Sequence, residues 1–356
     1  ARAFGLNQWH NTAMIEIDLA AEFPGAAGYL NTASIGLPPQ RGVSALTSAI
    51  SAWQRGDARA PEYDVAVAAA RKSFATLVSA PERAVAVGNQ VSALVGLAAT
   101  ALRPGDMVLC PEGEFTSVTF PFLARGDLEV IEVPLPALAE SITSRTAMVA
   151  CSAVQSATGA IADLEAIRES AAAAGTRTLV DATQAIGWFP VDARQFDVTV
   201  TGAYKWLLSP RGTAFMTVGA EMQELMRPTY AGWYAGESVW DSIYGLPLRL
   251  ATSARRFDLS PAWLSWVGTA PALQLISDIG IEAINGHNVG LANSLRRELD
   301  QSPTDSAIVS LEVAPGFEPA RLEGLATAYR ADRLRVGFHL YNTAEDVAKL
   351  VAAIRR

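Results

Sequence analysis

Through the first 220 residues, short runs that are almost entirely apolar alternate with segments of helical periodicity. That alternation constrains the fold more than any other feature. AVAVG (84–88), MVLC (107–110), LEVIEV (128–133), TAMVACSAV (146–154), TLVDA (178–182), FDVTVTG (196–202) and TAFMTV (213–218) read as strands. VSALVGLAATAL (91–102) and ADLEAIRESAAAAG (162–175) read as helices, the second closed by Gly175, and two more are expected over 41–55 and 62–79. Strands without polar alternation must be covered on both faces, and helical crossovers join such strands in parallel. The expected architecture is therefore α/β, a mostly parallel sheet of the seven-stranded type with helices on both faces. Ligands of such sheets sit beyond the carboxyl ends of the strands, which directs attention to the chain just after 88, 110, 154, 181 and 202.

From about residue 223 the pattern changes. PTYAGWYAGESVWDSIYGLP (228–247) is irregular and rich in Trp and Tyr, either core packing or the wall of a pocket for a bulky substrate. A long helical segment (262–300), two strand-like pieces (308–313 and 333–341) and a closing helix in TAEDVAKLVAAIRR follow. The chain's 356 residues suit about two domains. The expected division is an N-terminal arm (1–28) packing on the small domain, a large domain (29–225) and a smaller C-terminal α+β domain (226–356). Residues 1–13 precede Met14 and read as an upstream extension or an ordered arm.

Composition narrows the functional classes. A net charge of -8 without a clustered basic surface argues against nucleic-acid binding. No apolar stretch is long enough to span a membrane, and the first residues lack the apolar core of a secretion signal. Two cysteines, both inside apolar strands, are expected as inert buried thiols and suit a reducing, cytoplasmic compartment. His10, His287 and His339 have no partner at ligand spacing, so no metal site is expected.

Of 28 basic residues only Lys72, Lys205 and Lys349 are lysines. Lys72 and Lys349 lie in helical segments, as surface lysines do. Lys205 instead sits just past a strand end, flanked by Tyr204, Trp206, Leu207 and Leu208, a poor setting for a solvated ammonium. Apolar surroundings and neighbouring cations make a lysine lose its proton and become a nucleophile toward carbonyls. Asp181 ends the strand TLVD; a carboxylate there either caps a turn or pairs with a cation. Pyridoxal phosphate uses both groups, a lysine imine and a carboxylate that keeps the pyridine nitrogen protonated. Gln184, three residues on, could donate to the ring hydroxyl or the imine region. The joint GNQVSALV (88–95) offers the free N–H groups of a helix start, around Gln90, Val91 and Ser92, as a phosphate site. No dinucleotide or P-loop fingerprint competes with it. Phe115 is core packing or a ring that stacks on a planar cofactor. Arg335 makes a surface ion pair or a bidentate clamp on a substrate carboxylate.

In their order along the chain, these segments resemble the class V aminotransferase family of fold type I pyridoxal-phosphate enzymes. That group includes cysteine desulfurases, kynureninase and isopenicillin N epimerase-like proteins. VDATQAIGWFPVD and YKWLLSPRG carry the likeness most specifically. The resemblance implies Lys205 and Asp181 as catalytic residues and pyridoxal 5'-phosphate as cofactor. It implies cofactor contacts from Gln90, Val91, Ser92, Phe115, Ser156, Asp181, Gln184, Tyr204 and Lys205. YLNTASIGLPP (29–39) implies a substrate-binding backbone at Ala33, and RLRVGFHLYNT implies Arg335 as the substrate-carboxylate clamp. ARRFDLSPAW resembles the loop that reaches the neighbouring subunit's phosphate, with Ser260 there, so a homodimer with its active site at the interface is implied. Residues 310–334 contain no cysteine and Phe115 stands where desulfurases carry histidine, which disfavours desulfuration. The expected function is chemistry at Cα of an amino acid, transamination first, with C–S β-elimination or epimerisation as alternatives and a non-catalytic cofactor-binding protein as the contrasting class.

Overall fold

The computed structural model describes residues 17–313 and 322–355. The first part of the chain carries helices α1 (Leu19–Glu22), α2 (Gln40–Gln54), α3 (Tyr63–Leu77), α4 (Val91–Ala99), α5 (Thr116–Leu123), α6 (Leu164–Ala174) and α7 (Ala220–Leu225). Interleaved with them are strands β1 (Val85–Gly88), β2 (Met107–Pro111), β3 (Glu129–Val133), β4 (Thr146–Ser152), β5 (Arg177–Asp181), β6 (Val198–Gly202) and β7 (Ala214–Val218). Helices α8 (Trp263–Ile279), α9 (Ile281–Glu298) and α10 (Ala344–Arg355), with strands β8 (Ile308–Leu311), β9 (Ala328–Arg330) and β10 (Arg333–Gly337), complete the chain.

The seven strands form one sheet in the order β1-β7-β6-β5-β4-β2-β3. Only β7 runs against its neighbours, antiparallel to both β6 and β1; the other pairings are parallel. Side-chain alternation divides the sheet's residues between two layers. Val85, Val87, Val180 and Phe215 face a core with Phe74 of α3 and Trp266 of α8, and Phe74 stacks on Phe215 at 4.2 Å between ring centroids. Ala86, Met148, Leu179, Val198 and Met216 face the opposite core with Leu94 and Leu97 of α4 and Phe122 of α5. Both faces are covered, as the apolar runs require.

The reversal of β7 matters for the site. Because β7 returns beside β6 in the register Gly202↔Ala214, the connection 203–213 stays at the carboxyl edge of the sheet instead of crossing a face.

Later elements differ from the sequence reading in three places. The long helical segment divides at Gly280, whose φ of 89° is a conformation that glycine adopts without a Cβ clash. The strand expected over 333–341 stops at Gly337, because His339 N–H donates to Asn342 Oδ1 and Asn342 N–H to the His339 carbonyl, closing a turn. The short β9 has no legible apolar pattern; it exists as the partner of β10 in a second, antiparallel sheet ordered β8-β10-β9. That sheet shares a core with α9 and α10 built on Leu295, Val336, Phe338 and Leu350. Ahead of the large sheet, Gly28 N–H donates to Asp346 at 2.8 Å and Phe23 lies against Tyr341 at 5.0 Å. The expectations for residues 1–13 lie outside the described residues.

A buried ion pair ties the loop before α8 to the sheet. Asp258 accepts from both terminal nitrogens of Arg71 on α3 (3.1 and 2.7 Å) and from Val87 N–H (2.8 Å). Removing one member leaves the other buried and unanswered. Asp258→Ala is therefore expected to cost about 3–5 kcal/mol, read as a lower urea midpoint with an unchanged slope; an unchanged midpoint would contradict this assignment.

Candidate active site

The chain leaves five parallel strands at the same edge, and all five exits line one cavity of about 390 Å³. Asn89, Gln90, Val91 and Ser92 follow β1, Phe115 and Ser117 follow β2, and Ser152 and Ser156 come from the end of β4. Asp181, Thr183 and Gln184 come from the end of β5, and Gly202, Tyr204, Lys205 and Arg211 from that of β6.

Lys205 is buried, and burial holds its ammonium down to about 8, where an ordinary lysine titrates near 10.5. Asp181 opposes that shift, while Arg335, Arg330 and Arg211 add to it. The Nζ lies 5.2 Å from the centre of the Phe115 ring and 5.7 Å from that of Tyr204. Two glycines permit the placement of the lysine loop. A Cβ on Gly36 would fall 2.0 Å from the Lys205 carbonyl oxygen, and one on Gly187 2.2 Å from that of Trp206. Backbone approaches this close exclude any side chain.

Asp181 is buried at the tip of β5. Burial raises its carboxyl, and Thr183 N–H (2.9 Å to Oδ1) and the Lys205 ammonium pull it back. At the opposite end, Gln90 caps α4 without a side-chain hydrogen bond, so the first-turn N–H groups have no partner within the helix. Arg211, which the sequence reading left out, supplies a cation there, 5.2 Å over the Tyr204 ring. Its signal was its place in the SPRG turn, six residues past the lysine. Phe115 is 44% exposed and lines the cavity, which removes core packing as its explanation.

Glu114 was also missed. Its carboxylate is buried, accepts from Ser152 N–H, Ser152 Oγ–H and Phe115 N–H at 2.6 Å each, and is raised by burial. Gln184 lines the cavity with its amide engaged. Nε2 donates to the Ala33 carbonyl and to Ser156 Oγ at 2.9 Å each, and Oε1 accepts from Trp206 Nε1 at 2.7 Å. Arg335 reaches the same corner from β10, donating to Ser156 and, at 2.7 Å, to Ser34 Oγ. Its Nε is buried without a partner among the described residues. Burial and the nearby Arg330 charge lower Arg335 to about 10. Ala33 and Arg335 do not line the cavity themselves but adjoin it through Gln184 and Ser156, while two expected participants stand fully apart. Ser260 is exposed and does not line it, and the Trp- and Tyr-rich segment turns instead to α3, where Tyr234 and Trp240 both donate to Asp64.

A buried, readily deprotonated lysine beside a buried carboxylate at the carboxyl edge of an α/β sheet defines a carbonyl-chemistry enzyme site. The sequence pattern of the family Aminotransferase class-V matches residues 54–314, and the chain belongs to that family of pyridoxal-phosphate-dependent enzymes. Among curated relatives, the uncharacterized aminotransferase YcbU of Bacillus subtilis (strain 168) is 28% identical over 309 residues, 80% of this chain and 82% of that one. The isopenicillin N epimerase of Streptomyces clavuligerus is 27% identical over 336 residues, 80% of this chain and 83% of that one. The cysteine desulfurase CsdA of Escherichia coli superposes with a TM-score of 0.81 over 96% of this chain and 98% of that chain, at 23% identity. The cystine C–S lyase C-DES, in complex with cysteine persulfide, gives 0.82 over 93% and 98%, at 20% identity. At such identities the two structures are likenesses of fold.

The donor set fits the cofactor. A buried carboxylate suits a cationic ring nitrogen, an uncapped helix start with Arg211 suits a dianionic phosphate, and an exposed aromatic ring suits a planar heterocycle. The lysine's nucleophilicity is directly measurable. Borohydride trapping of pyridoxal phosphate by the apoprotein at Lys205 should rise as pH passes about 8, because only the neutral amine attacks. Asp181→Ala removes the carboxylate that favours the ammonium, so the midpoint should move down; an upward shift would contradict this electrostatic account.

Proposed function

We propose that this enzyme carries out transamination of an amino acid, with Lys205 as the single proton-transferring base. The supporting observation is the isolation of Lys205. Among the described residues lining the cavity, no second group is held near neutral pH as a base; Tyr204 is raised by burial, and the carboxyl of Asp181 is the natural partner of a cation. Transamination asks one base to take a proton from Cα and return it at a neighbouring carbon. Epimerisation with a base on each face asks for two.

In this reading the bound pyridoxal phosphate supplies a carbonyl for imine formation and a ring that draws electrons from the substrate's Cα. Asp181 would hold the ring nitrogen, and Phe115 would cover the ring. Ser156 and Gln184 would lie toward its hydroxyl. The N–H groups of Val91 and Ser92, with Gln90, Tyr204 and Arg211, would hold the phosphate. Arg335, whose Nε has no partner among the described residues, would hold a substrate carboxylate beside the Ala33 backbone, and the buried surroundings would strengthen that pairing. Lys205 Nζ, neutral once its proton has left, then takes the Cα proton. Glu114 keeps Phe115 and Ser152 in place through their backbone N–H groups.

We further propose a cytoplasmic homodimer in which Ser260 of one copy completes the phosphate site of the other. Ser260 is exposed on a loop that the Asp258–Arg71 pair holds rigidly, outside its own chain's cavity. Residues 29–225 would form the cofactor-binding domain and 226–356 the domain that carries Arg335, with residues 17–28 packed on the latter.

Single-turnover analysis with a panel of amino acids tests the reaction. Ketoacid with the pyridoxamine form of the cofactor is the expected product; pyruvate with released thiol would establish β-elimination instead, and racemised substrate epimerisation. Lys205→Ala should lower turnover by about 100- to 10,000-fold while Arg335→Ala raises the substrate KM. If Lys205→Ala leaves the cofactor's visible absorbance unchanged, the assignment fails.

A further inference from the structure

The small sheet turns one face toward the active site, and that face carries more positive charge than the proposed reaction uses. In the β10 registers, Arg335 lies opposite Ser310 and Ala328, while Arg333 lies opposite Arg330. Directly paired residues project to the same side of a sheet, so Arg330, Arg333 and Arg335 share the face that meets Ser34 and Ser156. The β9–β10 turn fixes this placement. Its two central residues, Ala331 and Asp332, have φ of 48° and 57°, the geometry of a two-residue hairpin, and a one-residue slip would send Arg330 to the opposite side.

The three arginines differ in what answers them. Arg333 is neutralised by Glu312 at 2.5 Å and donates to Ser310. Arg335 has its serine contacts and, in the proposed function, the substrate's α-carboxylate. Arg330 has no acidic partner among the described residues; its one hydrogen bond there goes to the Tyr329 carbonyl. Its charge nevertheless reaches into the site and disfavours the protonated forms of both Lys205 and Arg335. Directly opposite Arg335 stands the small Ala328, which places Arg330 diagonally across the strands from Arg335 on the same face.

The anions of the reaction do not use up these cations. The cofactor phosphate would take Arg211 and the α4 N–H groups, Asp181 would answer the ring nitrogen, and the α-carboxylate would take Arg335. Arg330 is exposed on this face and does not itself line the cavity; a guanidinium there, without an acidic partner among the described residues, is a recognition element for an anion that extends outward from the site. We propose that the substrate is an amino acid with a second anionic group on its side chain, a carboxylate, sulfinate or sulfonate, and that Arg330 receives that group while Arg335 holds the α-carboxylate. This rests on the proposed function and names the substrate class for that same site.

The test titrates the holoenzyme's cofactor absorbance with L-alanine and L-serine against L-aspartate, L-glutamate and L-cysteine sulfinate, in wild type, Arg330→Gln, Arg330→Lys and Arg333→Gln. The acidic amino acids should bind more tightly in wild type. The acid-to-neutral affinity ratio should fall about tenfold or more in Arg330→Gln, be partly kept in Arg330→Lys and be unchanged in Arg333→Gln. Equal affinity for acidic and neutral amino acids, or a ratio that Arg330→Gln does not change, overturns the inference and leaves the functional reading standing. If no amino acid of either kind perturbs the absorbance, the functional reading fails and this inference fails with it.

Discussion

The structure is organised around one unfavourable act, the burial of the Lys205 ammonium. Desolvation weakens the lysine's hold on its proton, and three arginines push the same way, while a single carboxylate, Asp181, favours the charged form. The result is a nitrogen that changes protonation state near physiological pH instead of near 10.5. Everything close to it serves that balance. The carboxylate comes from a strand tip with no freedom to move away, and the lysine from a loop whose neighbours leave no room for a side chain at Gly36 or Gly187.

That loop is held from both sheets. The Trp206 carbonyl accepts from His339 Nε2 at 2.9 Å, and the Trp206 ring nitrogen donates to Gln184. Gln184 passes the connection to Ala33 and Ser156, and Ser156 to Arg335. His339 is buried and held down to about 4, so it remains neutral and keeps donating to Trp206 throughout the working pH range. The small sheet thus touches the base through Trp206 and the substrate side through Arg335. A rearrangement between the two sheets would displace both together, and catalysis depends on their being aligned.

Much of this was legible in the residues. The continuous apolar runs placed the strands to within a few positions, because a strand buried on both faces has no alternative pattern to display. The strand ends then located the chemistry, and the motifs around Asp181 and Lys205 indicated the cofactor. Other features were hidden for physical reasons. Gly280 inside a helical stretch gave no warning of a break, since helices tolerate glycine. β9 is three residues of mixed polarity whose only reason to be a strand is β10 beside it. Arg211, Glu114 and Arg330 were not singled out, because nothing local distinguishes a solvated arginine or glutamate from one that lines a cavity, is buried behind it or stands on the face beside it.

The sequence by itself determined the α/β class, the five strand ends that carry the site, and the lysine and carboxylate at its centre. Each of these depends on local pattern or on a residue type that few alternatives could replace. Only the tertiary structure decided which charges answer which. That among the described residues Arg333 is matched by Glu312 while Arg330 is not, that the amide of Gln184 is already engaged, and that Phe115 stands open beside the lysine all follow from long-range register and burial. Electrostatic partnership is a property of distance and desolvation in the folded chain, and neither quantity exists along the sequence.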